Sequence, residues 1–167
     1  MEFLSKLEAW PLSQWVAGSD WGYPIVLCFH SIGMALVVGV VLMLGVRVLG
    51  YARAIPLSVF ETLFKFAWAG FVLNAGSGVL LFMANGQALI TNWTFVLKII
   101  LIAIGGVLLL YLWRGVRAEP EQMESGGDFS GKAKGLAIVT ILCWLGAVTS
   151  GRYIAYVLGA ALEAAYQ

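Results

Sequence analysis

Hydrophobic and polar positions divide this chain into four long apolar runs with short polar connections. The first runs from about Pro24 to Val46 and carries no formal charge. The second covers about Phe66 to Ala84, and the third Trp93 to Trp113, interrupted only by Lys98. The fourth covers about Gly135 to Ala161, interrupted only by Arg152. None alternates polar and apolar residues as a barrel strand would. A helix needs about 20 apolar residues to cross a hydrocarbon core and satisfies its own backbone groups there. The pattern therefore predicts an all-α integral membrane protein. Its domain is a single antiparallel bundle of four transmembrane helices over 24–46, 66–84, 93–113 and 135–161.

Ahead of the first run, Phe3, Leu7 and Trp10 recur at helical spacing among Glu2, Lys6 and Glu8. Pro11 interrupts or restarts that helix, and Trp15, Trp21 and Tyr23 follow. Trp and Tyr favour the headgroup level. Residues 2–18 are thus expected to form an amphipathic interfacial helix, either folded over the mouth of the bundle or serving as a simple anchor. No basic start, apolar stretch and small-residue cleavage site precede it, so no cleavable signal is expected. The connection 114–134 contains an acidic, Gly-rich segment from Ala118 to Gly131, expected to be a solvated connector or a docking site.

Basic residues orient the bundle. Arg47, Arg53 and Lys65 follow the first run, and Arg114, Arg117, Lys132 and Lys134 follow the third. The termini and the segment from Asn85 to Asn92 carry only Lys6. The positive-inside rule puts the basic side in the cytoplasm and both termini outside. In a bacterium this means a multi-pass inner-membrane protein with periplasmic ends.

Composition sharpens this picture. Of 167 residues, 61% are hydrophobic and 11% charged, against about 25% charged in soluble domains. Mean hydropathy is +0.91, so the lipid bilayer is the expected partner. A net charge of +1 gives no reason to expect nucleic acid. A bundle this small is expected to form a homo-oligomer or join a larger membrane complex.

Candidate chemistry is sparse. His30 is the single histidine, and Lys98 and Arg152 are the formal charges inside the apolar runs. At 1.5 Å per residue, His30 lies roughly 9 Å and Lys98 roughly 8 Å below the outer edge. Arg152 lies roughly 26 Å up from the inner edge of a ~30 Å core, near the same layer. No carboxylate inside a run offsets them; Asp20 and Glu163 are in the flanks. Buried ionisable groups in a membrane default to the bundle interior or a polar cavity. Alternatively, Lys98 and Arg152 snorkel to the headgroups and His30 bonds a neighbouring helix.

If the three converge, they suit an anionic or electron-rich ligand: haem propionates, a quinone carbonyl, a lipid phosphate or a small anion. In a haem b site His30 would be the axial ligand, with Lys98 and Arg152 holding propionates. Gly33, one turn on, would let a flat ring approach the backbone. Met34 shares His30's face and cannot reach the other side of the same iron, so a sixth ligand would be Met83 or a second subunit's histidine. Copper, with Met or Cys28 as softer ligands, is the other metal option. Gly70, Asn74, Ser77 and Gly78 share one face of the second run, and Gly146, Ser150 and Tyr153 one face of the fourth; these read as packing. Cys28 and Cys143 lie at different depths and are expected to be free thiols. No nucleophile–base pair, phosphate loop or carboxylate pair lies within the spans, which argues against hydrolysis and phosphoryl transfer.

Several motifs together carry a resemblance: Gln14-Trp15-Val16, Trp21-Gly22-Tyr23-Pro24, the run His30 to Leu36, Arg47-Val48-Leu49-Gly50, Trp68-Ala69-Gly70-Phe71, Ser77 to Phe82, Asn92-Trp93-Thr94-Phe95 with Lys98, and Gly151 to Tyr156. Over nearly the whole chain this resembles a bacterial family of four-helix inner-membrane proteins with no assigned function, and more distantly the copper-resistance D-type membrane proteins. The resemblance implies the four-span fold and draws attention to His30, Lys98 and Arg152. It implies acidic residues where this chain has Gly45 and Leu27, which makes cation-coupled transport a poorer expectation. The leading expectation is a non-enzymatic, cofactor-binding or electron-transfer subunit. A copper or small-anion transporter component and a structural accessory subunit are the alternatives.

Overall fold

The computed structural model describes residues 2–118 and 128–165, with side chains at 155 and from 157 onward left out. Every regular element among the described residues is helical. Four helices are long and apolar enough to cross a membrane: α3 (Gly22–Val48), α4 (Ser58–Ala84), α6 (Trp93–Arg117) and the Gly131–Ile154 part of α7 (Gly131–Ala165). Only 17% to 33% of the residues in their apolar windows are buried. The outward faces, with Val72, Val79, Val107 and Leu142 more than half exposed, are apolar too, which only a hydrocarbon solvent tolerates. The protein is a multi-pass membrane protein.

The helices start and stop for local reasons. Ser19 Oγ accepts from the backbone N–H groups of Trp21 and Gly22 and starts α3. The end of α3 is a Schellman motif: Tyr51 N–H bonds Val46 O, Gly50 N–H bonds Arg47 O, and Gly50 takes a φ of 94°. Asn92, within a glycosylation-like pattern, caps α6 by accepting from Thr94 N–H at 2.9 Å. The second span begins at Ser58, eight residues before its apolar run, because Glu61 and Lys65 depress hydropathy without breaking a helix.

The N-terminal segment is two helices rather than one, α1 (Glu2–Glu8) and α2 (Pro11–Gly18), because Pro11 starts a new helix at its first position. Val16 and Ser13 of α2 are buried, while Trp10 and Trp15 stay exposed. The connection before α6 folds as a short helix, α5 (Gly86–Ile90). Glu8 ties α1 to it: one carboxylate oxygen accepts from Gln87 N–H at 2.8 Å, the other from Gln87 Nε2 at 2.9 Å. Most of the acidic segment, 119–127, lies outside the described residues.

Packing is uneven. α3 lies closely along α4 and α6 along α7, and α3 against α7 joins the two pairs. By contrast, α4 and α6 meet through side chains: Phe64 on Trp113 (centroids 4.5 Å apart), Phe82 stacked on Phe95 (5.6 Å), and Arg117 bonding Glu61 at 2.9 Å. The apolar core, with Leu44, Val48, Phe60, Leu112 and Val116 essentially sealed, occupies the end that carries the basic residues. Arg47 is not a loop residue there. It sits in the last turn of α3, 1% exposed, with Nε donating to Ile55 O at 2.8 Å. Toward the other end, buried polar side chains such as Ser77, Thr94 and Ser150 stand among the apolar ones.

A candidate polar site between four helices

α3 and α4 touch backbone to backbone. A Cβ on Gly33 would lie 2.6 Å from both Gly70 O and Asn74 N, and one on Gly70 would lie 2.9 Å from Gly33 O. That approach lets two residues bond reciprocally across the interface. Asn74 Nδ2 donates to His30 O at 2.8 Å, and His30 Nδ1 donates to Asn74 O at 2.9 Å. Ser77, buried, places its hydroxyl 3.2 Å from the same Nδ1. The carbonyl partner makes Nδ1 the protonated nitrogen, so the neutral ring presents Nε2 as a lone pair.

Gly78 opens the space for the imidazole; a Cβ there would lie 3.2 Å from His30 Cε1. From α6, Lys98 brings Nζ to 3.4 Å from His30 Nε2. Gly151 of α7 lies against the lysine; a Cβ there would sit in ordinary contact, 3.5 Å from Nζ. The chain Asn74 O, His30, Lys98 thus crosses the bundle, and Lys98 has no carboxylate partner among the described residues.

Below this pair lies a cavity with about 20 Å³ of free space, room for one water-sized group. All four spanning helices line it: His30 and Met34 from α3, Phe71 and Asn74 from α4, Lys98 and Ile102 from α6, Trp144 and Val148 from α7. Its polar edge is His30, Asn74 and Lys98; the rest is apolar. Trp144 is 7% exposed, and its indole N–H has no acceptor among the described residues.

The predicted site residues separate here. His30 and Lys98 are brought together. Gly33 is covered by the backbone of α4, so its face is closed to a flat ring. Arg152 is exposed, one residue beyond Gly151 on α7, and takes no part in the His30 network. Asn74 has the interhelical role its depth demanded, and Cys28 and Cys143 are free. Ser150 is buried and Tyr153 exposed, so the fourth-helix face is split. No group of three His, Cys, Asp or Glu stands together among the described residues. Phe71 and Trp144 were not legible as site residues, because apolar side chains are everywhere in such a sequence. The Glu8–Gln87 tie lacked any signal, being a contact between distant segments. Compared with known proteins, the chain matches no family model, no curated protein and no solved structure.

Proposed function

We propose that this chain is an antiparallel four-span protein of the bacterial inner membrane that binds the carbonyl head of a quinone-like cofactor beside the His30–Lys98 pair. The bundle is oriented with both termini outside, and α1 and α2 lie on the outer surface. The site then sits in the outer half of the bilayer, in keeping with a cofactor-binding or electron-transfer role rather than an enzymatic one. The observation that carries the reading is the pairing of His30 Nε2 with Lys98 Nζ at 3.4 Å above a cavity without a carboxylate. Lysine offers a carbonyl oxygen a charge-assisted hydrogen bond, and Nε2 accepts the proton of the reduced, hydroxyl form. The walls are apolar and aromatic, and because the free space holds only one oxygen atom, a ring would enter only as side chains such as Phe71 rotate aside.

Haem b fits these residues less well. The His30 nitrogen it would need faces Lys98, and Gly33 is covered by the backbone of α4. A copper ion would meet the repulsion of an ammonium group beside its only histidine ligand. A small anion is the second reading, supported by the absence of a carboxylate partner for Lys98 among the described residues.

The test is organic extraction of protein purified in mild detergent, with oxidised and dithionite-reduced absorption spectra of the same sample. Near-stoichiometric quinone in the wild type, lost in His30→Ala and Lys98→Met, is the expected result. A Soret band abolished by His30→Ala would replace the quinone with haem b. A ligand-free protein that binds a small anion only while Lys98 is present would establish the second reading instead.

A further inference from the structure

The walls of the cavity differ in thickness. Between α3 and α4 the backbones touch at Gly33 and Gly70. Between α6 and α7 a Cβ on Gly146 would already lie 3.1 Å from Leu101, and Gly151 faces Lys98. Neither seam leaves room for a ligand to pass. The end of the bundle beyond His30 carries α5, which Glu8 fastens to α1.

The α4–α6 seam is different. It is closed by aromatic pairs at two levels, Phe64 with Trp113 and Phe82 with Phe95. Between them no close backbone contact shuts it. There the cavity is lined by Phe71 of α4 and Ile102 of α6, and Phe71 is 41% exposed on the lipid-facing surface. Phe71 thus reaches both the outer surface and the cavity that Lys98 lines. Side-chain rotation is far faster than separation of packed helices, so this wall can open without parting closely packed helices.

We infer that the cofactor of the His30–Lys98 site is an amphiphile dissolved in the bilayer, which comes in sideways past Phe71 and leaves its hydrocarbon chain in the α4–α6 seam. This rests on the carbonyl-binding reading of the site. Complementarity selects the occupant: a cation with no carboxylate partner among the described residues attracts an electron-rich oxygen, and an apolar slot open to lipid accepts a hydrocarbon tail. A water-borne polar ligand would cross that slot at a desolvation cost, whereas a chain already in lipid gives up nothing on moving into it.

The experiment uses the full chain in lipid nanodiscs and an isoprenoid benzoquinone with a photoreactive group on its chain. Cross-linked peptides are mapped by mass spectrometry, with and without excess unlabelled quinone. A tail-less benzoquinone, titrated by quenching of tryptophan fluorescence, reports the head site separately. The expected result is competitor-sensitive labelling on α4 near Phe71 and on α6 near Ile102, lost in His30→Ala. Ile102→Trp, shown to melt like the wild type, should reduce that labelling severalfold. Labelling that maps to α1 and α2 or to α3 and α7 would overturn the lateral route, and so would labelling indifferent to competitor. If the tail-less quinone still binds in a His30-dependent manner, the head site survives that failure. If neither probe binds, both readings fall.

Discussion

The side chain of Asn74 holds the backbone of His30, and the side chain of His30 holds the backbone of Asn74, at 2.8 and 2.9 Å. The exchange joins α3 to α4 and sets the histidine tautomer at once. The two effects are separable, because the acceptor for Nδ1 is a main-chain oxygen that mutation leaves in place. Asn74→Ala should cost about 0.5–2 kcal/mol, the range of hydrogen bonds between membrane helices, while Nε2 stays the free nitrogen. Denaturant titration in mixed micelles measures the first. Nitrogen NMR of labelled histidine reads the second; a switch of the proton to Nε2 in Asn74→Ala would refute it.

At Gly33 a single methyl would run into the main chain of another helix. Its neighbours are backbone atoms of α4, which cannot rotate away. Gly33→Ala should destabilise by about 1–3 kcal/mol, the usual cost of overpacking. Gly39 has nothing within 4 Å of a built Cβ, so Gly39→Ala should be neutral or stabilising by up to about 1 kcal/mol through helix propensity. Equal melting losses for the two variants would show that α3 and α4 do not touch at Gly33.

Lys98 is the residue whose removal should separate stability from binding. It is a partly buried cation, and among the described residues it contacts His30 rather than a carboxylate. Replacing an uncompensated charge with an apolar side chain of similar length is neutral or stabilising. Lys98→Met should melt no lower than the wild type and should lose the ligand. A large drop in melting temperature would mean that Lys98 is structural.

Glu8 fastens α1 to α5 by two hydrogen bonds from Gln87. Glu8→Ala should raise amide exchange over 2–8 and leave exchange in the four spans unchanged. Unaltered exchange at 2–8 would mean that lipid, rather than this carboxylate, holds the segment.

At the basic end, the Lys134 ammonium at 2.8 Å holds the Asp128 carboxyl below the usual aspartate range by a hydrogen bond, with Arg53 at 3.4 Å adding its charge. The folded value lies below the unfolded one. The interaction is therefore fully present above the unfolded value and lost as pH falls through the folded one. Carbon NMR of labelled aspartate should show Asp128 titrating below the usual aspartate range, and Lys134→Met should move it up. A midpoint in the ordinary range in the wild type would mean that the pair does not form.

Length, apolarity and the break at Pro11 sufficed to locate the four spans and the two-part N-terminal segment, because crossing a hydrocarbon layer demands long helices whatever surrounds them. Depth along a helix is likewise a one-dimensional quantity, so counting residues placed His30 and Lys98 in one layer. Rotation about the helix axis is not encoded that way. Gly33 packing on Gly70, and Gly78 making space for the imidazole, turned His30 toward Lys98. One residue past Gly151, about 100° further round the helix, Arg152 faces outward at the same depth. Hydropathy recorded Arg47 as a flanking charge; only the fold, by bringing Ile55 O and Phe129 around it, made it a buried one. Composition and periodicity settle which segments enter the membrane, while contacts between distant segments decide which side chains meet there.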